Sequence, residues 1–290
     1  MARGSKERQS GLQKARPGGR FPPAARIKTA THTMKARFLI LLPLLASAVS
    51  CSVKEDRTPC PCWLDIDVSL CSRQGETVSL RGWNSTKPLF GETLYVADWP
   101  DVWETPVPKG VVHYTAYSGV RSCMASGSTL LVPEGNQCDS LWAYRTSVIC
   151  EGEDAFDRVN LHKQFATVTM KLTQEPDGVL SALITGPWAG MSLDDLGAVK
   201  GNYSYTAEQN AERLFVFRLP RQGDGSLVFE LLRDGRRYET FALGELIEKT
   251  GYDWNAQDLD DIFIGVDFYR GEISIGIGDW EEDAIYTIEL

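Results

Sequence analysis

The sequence predicts an all-β protein with two β-sandwich domains that follow an export signal. Apolar and polar residues alternate with a period of two in several short segments, and turn residues separate these segments. The chain that follows the signal is also too long for a single sandwich, which needs about 100 residues. We therefore expect one sandwich in residues 60–159 and a second in residues 160–290, with the boundary near Asn160.

The predicted strands are clearest where the alternation is longest. Residues 62–70, 166–172 and 262–268 each place apolar side chains at every second position. A strand with this pattern buries one face and leaves the other in water. These three segments therefore predict half-buried strands.

Turn residues predict how neighbouring strands are connected. Three hairpins are expected, at residues 223–225 between apolar segments 214–219 and 227–232, at Asp234 and Gly235, and at Arg270 and Gly271. Leu243, Leu246 and Ile247 have helical spacing, and Gly251 follows them as a stop signal. This pattern predicts one short helix on the β fold.

A lipoprotein-type export signal precedes the predicted domains. Lys35 and Arg37 lead into the apolar residues 38–49, and small residues then precede Cys51. The apolar segment is far shorter than the roughly 20 residues that span a bilayer. We expect residues 34–50 to be a signal peptide that is cleaved before Cys51, whose thiol carries a covalent lipid such as palmitate-bearing diacylglycerol. An ordinary secretory signal is the alternative, and no cofactor other than the lipid is expected.

The residues around this signal differ sharply in charge. Residues 1–33 contain eight Lys and Arg against one acidic residue, and we interpret them as an upstream extension before a natural start at Met34, rather than as a nucleic-acid-binding arm. The chain from Cys51 onward has 20 basic and 38 acidic residues, so its net charge is 20 − 38 = −18. Such a charge argues against nucleic-acid partners and against electrostatic binding to anionic lipid.

The predicted tether, residues 51–59, contains a candidate sorting signal. Ser52 at the second position is typical of sorting to the outer membrane, and Lys54, Glu55 and Asp56 resemble a surface-export signal of bacterial lipoproteins. A solvated linker is the alternative. The sequence therefore predicts a lipid-anchored outer-membrane protein that is exposed at the cell surface.

Six cysteines remain after the lipidated one, and all precede residue 151. An even number of cysteines in an exported chain predicts disulfide bonds. Cys60 and Cys62 are too close in sequence for an easy mutual bond, so the connectivity stays open. A metal site is the less favoured alternative, because His113 and His162 are the histidines after Cys51 and no second CxC or CxxC pair occurs. The candidate disulfide residues are Cys60, Cys62, Cys71, Cys123, Cys138 and Cys150.

The sequence contains no motif of a known catalytic or nucleotide-binding site. No nucleophile elbow, zinc-protease motif, phosphate loop or dinucleotide fingerprint is present, so we predict a protein that is not an enzyme. Carboxylate pairs that hydrolyse glycosides converge in space rather than in sequence, and a secreted hydrolase stays open on that ground. Trp99 and Trp103 are a candidate sugar-stacking platform, which leaves a carbohydrate-binding surface lipoprotein as the main alternative.

Three segments resemble the FimB-type fimbrial anchor family. They are residues 57–62 (RTPCPC) after the acidic tether, the strand at residues 161–172, and residues 273–280 followed by the strand at residues 284–290. The resemblance implies two transthyretin-like sandwiches and a lipoprotein that holds a pilus on the cell. It also implies that the fimbrial shaft subunit is the partner and that the anchor limits assembly of the pilus.

A fimbrial anchor of this kind would contact its shaft by strand addition, through main-chain hydrogen bonds at a free sheet edge. Two edges are candidates, the strand at residues 62–70 and the closing strand at residues 284–290. Tyr286, Ile288 and Leu290 are the candidate contact residues of the closing strand.

Overall fold

The structure, a computed structural model, describes residues 60–95, 101–173, 176–267, 270, 272–278 and 286–289. These residues belong to one compact unit, Asp56–Leu290. They are almost entirely strands, in agreement with the predicted all-β fold. In the part of the chain that is described, no helix is both long enough and apolar enough to cross a membrane.

The strands are numbered in chain order. They are β1 Cys62–Asp67, β2 Thr77–Trp83, β3 Pro88–Tyr95, β4 Val102–Val107, β5 Gly110–Ser118, β6 Met124–Ser126, β7 Thr129–Leu131, β8 Trp142–Cys150, β9 Asp154–Arg158, β10 His162–Lys163, β11 Phe165–Thr173, β12 Leu180–Ser192, β13 Ala198–Glu208, β14 Leu214–Pro220, β15 Val228–Arg233, β16 Arg236–Phe241, β17 Ile262–Asp267, β18 Glu272–Ile277 and β19 Tyr286–Glu289. A 3₁₀ helix, Ser69–Arg73, follows β1, and an α-helix, α1, spans Leu243–Lys249.

The first sandwich is formed by two sheets that share one hydrophobic core. A three-stranded sheet has the order β4-β1-β9, and a five-stranded sheet has the order β10-β8-β5-β2-β3. Leu64 and Ile66 of β1 pack in the same core as Leu80 of β2 and Tyr114 of β5, and all four are buried. The period-two alternation of these strands is what supplies each sheet with one apolar face.

The second sandwich is built in the same way from two further sheets. One has the order β14-β11-β17-β18-β19, and the other has the order β16-β15-β12-β7-β6, with β13 on the opposite side of β12. Val168, Phe217 and Ile264 of the first of these sheets share a core with Ile184 and Phe229 of the second. The predicted strands at 166–172 and 262–268 correspond to β11 and β17, which pair in parallel.

The two halves of the chain exchange short strands near the predicted boundary at Asn160. The β6–β7 hairpin from the N-terminal half pairs with β12 of the second sandwich through Leu131, Leu130 and Thr129. In the opposite direction β10, which follows Asn160, pairs with β8 of the first sandwich. The side chain of Leu130 is buried in the second core. The two sandwiches are therefore joined by strand pairing as well as by the chain connection.

One predicted hairpin is wrong. The apolar segments on either side of residues 223–225 become β14 and β15, which lie in different sheets. Their apolar faces pack across the core, with the rings of Phe215 and Phe229 edge to face at 6.3 Å between centroids. Residues 223–225 therefore lie in a connection between sheets, because both strands bury aromatic faces on the same core instead of pairing edge to edge.

The other turn predictions agree with the structure. β15 and β16 form a hairpin closed by Asp234 and Gly235, both with positive φ (50° and 75°), as a two-residue type I′ turn requires. β17 and β18 pair antiparallel on either side of the predicted third turn, of which Arg270 is described. Helix α1 includes Leu243, Leu246 and Ile247 as buried residues.

The strand predicted at residues 62–70 is shorter than expected. β1 ends at Asp67, whose carboxylate accepts the N–H of Ser69 at 3.0 Å and closes a tight turn. The 3₁₀ helix begins at Ser69, so Leu70 lies in the helix rather than in the strand.

Candidate functional site

The predicted lipid tether lies outside the described residues. Cys51 and the candidate export residues Ser52, Lys54, Glu55 and Asp56 are not among them, and their roles stay predictions. The described chain begins at Cys60, which is exposed, and enters β1 two residues later at Cys62. A pulling force on the predicted tether would therefore be expected to reach the fold at Cys62, the first residue of β1.

The prediction that β1 is a free edge is wrong. β1 lies in the middle of its sheet, with β4 antiparallel on one side and β9 parallel on the other. Both edges of its main chain are therefore already paired, because residues 154–158 return to lie beside it. The alternation of residues 62–70 shows a half-buried strand and cannot show which strands will flank it.

The closing strand β19 is one of the two edge strands of its sheet among the described residues, and β14 is the other. It pairs antiparallel with β18, with Ile288 opposite Ile273 and Tyr286 opposite Ile275. Leu290 lies outside the described residues, and a subunit contact through these positions stays a prediction. The register does show that β19 continues the sheet beside core-facing positions of β18, since Ile273 and Ile275 are buried.

A polar cavity of about 330 Å³ lies where β8 meets the second sandwich. It is lined by residues from β8, from β10 and the residue after it, from the connection between β12 and β13, which includes Asp195, from the residue after β14, and from the segment after α1. Residues that line it include Tyr144, Arg145, His162, Gln164, Arg221 and Gln257.

Arg221 is the most unusual residue of this cavity, because its charged side chain is almost completely buried, at 5% exposure. Its guanidinium donates to the carbonyl of Ala256 at 3.0 Å, to the carbonyl of Trp254, and to Oε1 of Gln164 at 2.7 Å. Its Nε has no partner among the described residues, and no described carboxylate lies within ion-pair distance. Burial lowers the pKa of Arg221, yet an arginine stays charged at neutral pH.

His162 forms a second polar element of the cavity. Its Nδ1 lies 2.7 Å from Oδ2 of Asp258, and its Nε2 lies 2.7 Å from Nε2 of Gln257. Since the amide nitrogen of Gln257 can only donate, Nε2 of His162 accepts and Nδ1 donates to Asp258. The imidazole ring is thus held between Asp258 and Gln257. Burial raises the pKa of Asp258, but the N–H of Lys163 and the His162 ring together lower it by more, so the pKa lies below its usual value.

The groups that line the cavity suit the binding of a polar ligand. Arg221 supplies a cation with no carboxylate within ion-pair distance among the described residues, although Asp195 also lines the cavity and Asp253 and Asp258 act on the guanidinium electrostatically. With the imidazole of His162 and the amides of Gln164 and Gln257, this cation suits a polar ligand that carries an anionic group and hydroxyl groups. Sequence reasoning missed Arg221, because it follows Pro220 with no motif and acquires its neighbours from residues 254–257, far along the chain.

The structure does not support Trp103 as part of a sugar-stacking platform, and Trp99 lies outside the described residues. Trp103 is 7% exposed and packs against Phe90, with ring centroids 5.1 Å apart. Its side chain belongs to the core of the first sandwich, because position 103 falls on the buried face of β4. It cannot stack on a sugar in this position.

The six candidate disulfide cysteines are present as free thiols, and the structure brings four of them together as two pairs. Cys62 lies close enough to Cys150 to raise its pKa in addition to the effect of burial, and Cys123 does the same for the pKa of Cys138. Cys71 is buried in the 3₁₀ helix, at the opposite end of β1 from Cys60.

The fold recurs in solved structures of bacterial proteins. A candidate polysaccharide-binding protein from Bacteroides thetaiotaomicron has a TM-score of 0.58 at 15% identity, over 79% of this chain and 98% of that chain. The fimbrial anchor protein Mfa2 from Porphyromonas gingivalis has a TM-score of 0.55 at 12% identity, over 76% and 98%. A candidate adhesin from Bacteroides ovatus has a TM-score of 0.55 at 15% identity, over 82% and 98%.

These likenesses show a shared fold, and the fimbrial anchor structure among them confirms the predicted resemblance at the level of the fold. No protein-family model matches the chain, and no curated protein matches it.

Proposed function

We propose that this chain is an outer-membrane lipoprotein of the fimbrial anchor type, which holds a fimbria on the cell surface and limits its assembly. The observation that carries the proposal is the fold shared with a fimbrial anchor protein along 98% of that protein's chain. An anchor must be fixed in the membrane at one end and engaged with a polymer at another. The sequence and the fold offer a candidate for each task.

Membrane attachment is assigned to Cys51. A single acyl chain binds a membrane marginally and two signals hold it stably, so a triacylated terminus is sufficient for permanent attachment. The net charge of −18 from Cys51 onward makes electrostatic binding to anionic lipid unfavourable, which leaves the acyl chains as the attachment. The export residues Ser52, Lys54, Glu55 and Asp56 would direct the protein to the outer face of the outer membrane.

Contact with the shaft subunit is assigned to the β19 edge. An edge strand offers unpaired N–H and C=O groups that an incoming strand can bind, and the sheet beyond β18 ends at this strand in the described residues. An anchor that accepts one strand and offers none in return would also stop further addition. The same geometry therefore accounts for both attachment and limited assembly.

The experiment that tests this function is localisation of the protein on fimbriated cells. Immunogold against the native protein should label one end of each fimbria at the cell surface, and detergent extracts should contain the protein bound to the shaft subunit. Label distributed along the shaft, or extracts in which the two never associate, would overturn the proposal.

Carbohydrate binding is a second candidate function, and the cavity around Arg221 favours it. The buried guanidinium of Arg221 has no carboxylate within ion-pair distance in the described part of the chain, although Asp195 also lines the cavity. Such a guanidinium suits the carboxylate of an acidic sugar, and amides such as those of Gln164 and Gln257 suit its hydroxyl groups. A solved protein of the same fold is described as a candidate polysaccharide-binding protein. The predicted ligand is a saccharide that contains a uronic acid.

This second function is tested by titrating the protein with uronic-acid oligosaccharides and with neutral oligosaccharides of equal length. We expect binding of the acidic ligand alone and a loss of at least about tenfold in affinity for Arg221→Gln, since a charged hydrogen bond contributes about 1.5–3 kcal/mol. Arg236→Gln, at an exposed position of β16, is the matched control. Equal binding of both ligands, or no binding to a correctly folded protein, removes this candidate.

A further inference from the structure

The first cysteine pair spans the two sheets of the first sandwich. Cys62 is the first residue of β1 and lies opposite Val107, the last residue of β4. Cys150 is the last residue of β8 and lies opposite Gly110, the first residue of β5. Only two residues connect β4 to β5, so both cysteines flank the same turn. Both side chains are fully buried in one core, and Cys62 lies close enough to contribute to the raised pKa of Cys150.

The second pair closes the base of the β6–β7 hairpin, the hairpin that joins the second sandwich. Cys123 precedes β6, and its N–H donates to Oδ2 of Asp139 at 2.8 Å. Cys138 is the residue directly before Asp139 and is fully buried. The carboxylate of Asp139 therefore holds the backbone of Cys123 beside that of Cys138, and Cys123 contributes to the raised pKa of Cys138.

The two other cysteines have no such partner. Cys60 precedes β1 and is exposed, whereas Cys71 follows β1 and is buried beyond its far end. A six-residue strand spans about 20 Å, while the Cα atoms of a disulfide lie about 4.4–6.8 Å apart. Cys60 and Cys71 therefore cannot be joined within this fold.

We propose that Cys62–Cys150 and Cys123–Cys138 are disulfide bonds in the exported protein, and that the first acts as a mechanical staple where the tether enters the fold. The staple role rests on the proposed anchoring function, whereas the pairing itself does not. Under load from a fimbria, force passes through the tether into Cys62 and would peel β1 from β4 and β9. A bond to Cys150 transfers that force to the second sheet.

Each bond forms by thiol–disulfide exchange with an oxidised dithiol oxidoreductase of the exported compartment. One cysteine thiolate attacks the oxidoreductase disulfide and gives a mixed disulfide, and the second cysteine then displaces the oxidoreductase thiolate. The two cysteines lose two electrons and two protons, and the oxidoreductase disulfide is reduced to a dithiol.

Oxidation must come before the core closes. Burial, followed by the effect of neighbouring Cys62, raises the pKa of Cys150 to about 12, and burial raises the pKa of Cys123 to about 12 as well. Since the thiolate is the reactive form, thiols buried in the finished fold react slowly. We therefore expect a chain that folds in reducing conditions to stay reduced when oxidant is added later.

The pairing is tested on the native protein from the cell envelope. The protein is denatured without reductant, free thiols are alkylated, and its peptides are analysed by mass spectrometry. We expect peptides linked through Cys62 and Cys150 and through Cys123 and Cys138, with Cys60 and Cys71 alkylated. Alkylation of all six, or a different set of linked peptides, would overturn the proposal.

The staple is tested by single-molecule pulling between the two ends of the mature chain. In the oxidised protein the residues between 62 and 150 cannot extend, so the released length is shorter by about 3.5 Å per bridged residue. Reductant should restore the full length and lower the force at which β1 detaches, and Cys150→Ala should show both effects without reductant. Cys71→Ala, equally buried but unpaired, is the control. An unchanged detachment force in Cys150→Ala would refute the staple while leaving the peptide map, and the anchoring function, untouched.

Discussion

Single residues fix the loops at the junction of the two sandwiches. Asp139 is 6% exposed, and its carboxylate accepts the N–H groups of Arg121, Ser122 and Cys123 at 2.7–2.8 Å and the hydroxyl of Ser122 at 2.7 Å. A carboxylate that receives several N–H groups is stabilised in its ionised form. One side chain thus orders the loop before β6.

The pKa of Asp139 gives a pH-dependent prediction. Burial raises this pKa, but the N–H groups of Cys123 and Arg121 and the Ser122 hydroxyl together lower it by more. The pKa of Asp139 therefore lies below its usual value. Its contribution to stability is therefore fully present above the unfolded carboxyl pKa of about 3.9 and is lost as pH falls through the folded pKa.

Asp139→Asn should lower the free energy of unfolding by about 2 kcal/mol at pH 7, because the amide cannot accept at both oxygen positions. The difference from the wild type should shrink toward pH 3 in urea unfolding. Asp177→Asn, at an exposed position, is the control. A pH-independent difference would contradict the role of the charge.

Elements show what the sequence could and could not predict. The alternation in residues 166–172 and 262–268 correctly predicts β11 and β17, because the side chains of a half-buried strand alternate between the apolar core and water. The strands that pair with it come from other segments of the chain, so its own sequence does not show which they are. The sequence suggests β1 as a free edge, yet residues 154–158 pair along it in parallel. It also predicts a hairpin at residues 223–225, yet this segment connects two sheets.

In the candidate site too, the sequence identifies residues but does not show which of them lie together. The cysteines could be identified as disulfide candidates from their number alone, but the fold determines which of them lie together. The two-residue turn between β4 and β5, for example, places Cys62 beside Cys150. Arg221 could not be found from the sequence, because its partners at Gln164, Trp254 and Ala256 come from distant segments.

Removal of the closing strand is the prediction at the scale of an element. Deletion of residues 285–290 should release fimbriae into the medium or lengthen them, because the edge assigned to the shaft is lost. Fimbrial length is measured by electron microscopy, and the amount of shaft subunit in the medium is measured by immunoblot. Normal, cell-bound fimbriae on cells that carry the truncated protein in their outer membrane would exclude β19 as the contact.

The whole molecule is held together by strands exchanged across the middle of the chain. The β6–β7 hairpin completes the sheet of β12, and Thr115 of β5 donates to the carbonyl of Leu193, which follows β12. An anchor under tension would benefit from such connections, because neither sandwich can be pulled away without breaking main-chain pairs.

This exchange predicts that the two sandwiches unfold together. Leu130→Ala leaves a cavity in the second core, and such a change costs about 2–5 kcal/mol. We expect one shifted denaturant transition, with fluorescence and circular dichroism coincident. Val111→Ala, about half exposed on β5, should change stability little. Two separate transitions would contradict a single cooperative unit.

The central claim is that a lipid on Cys51 fixes a fimbria to the cell through this protein. The most direct measurement is the fraction of fimbrial shaft subunit found in the culture medium when Cys51→Ala replaces the native protein. We predict that most fimbriae are shed, with the unlipidated protein still bound to their ends. Fimbriae that stay on the cell at native levels, with no acyl group on the protein, would contradict the account.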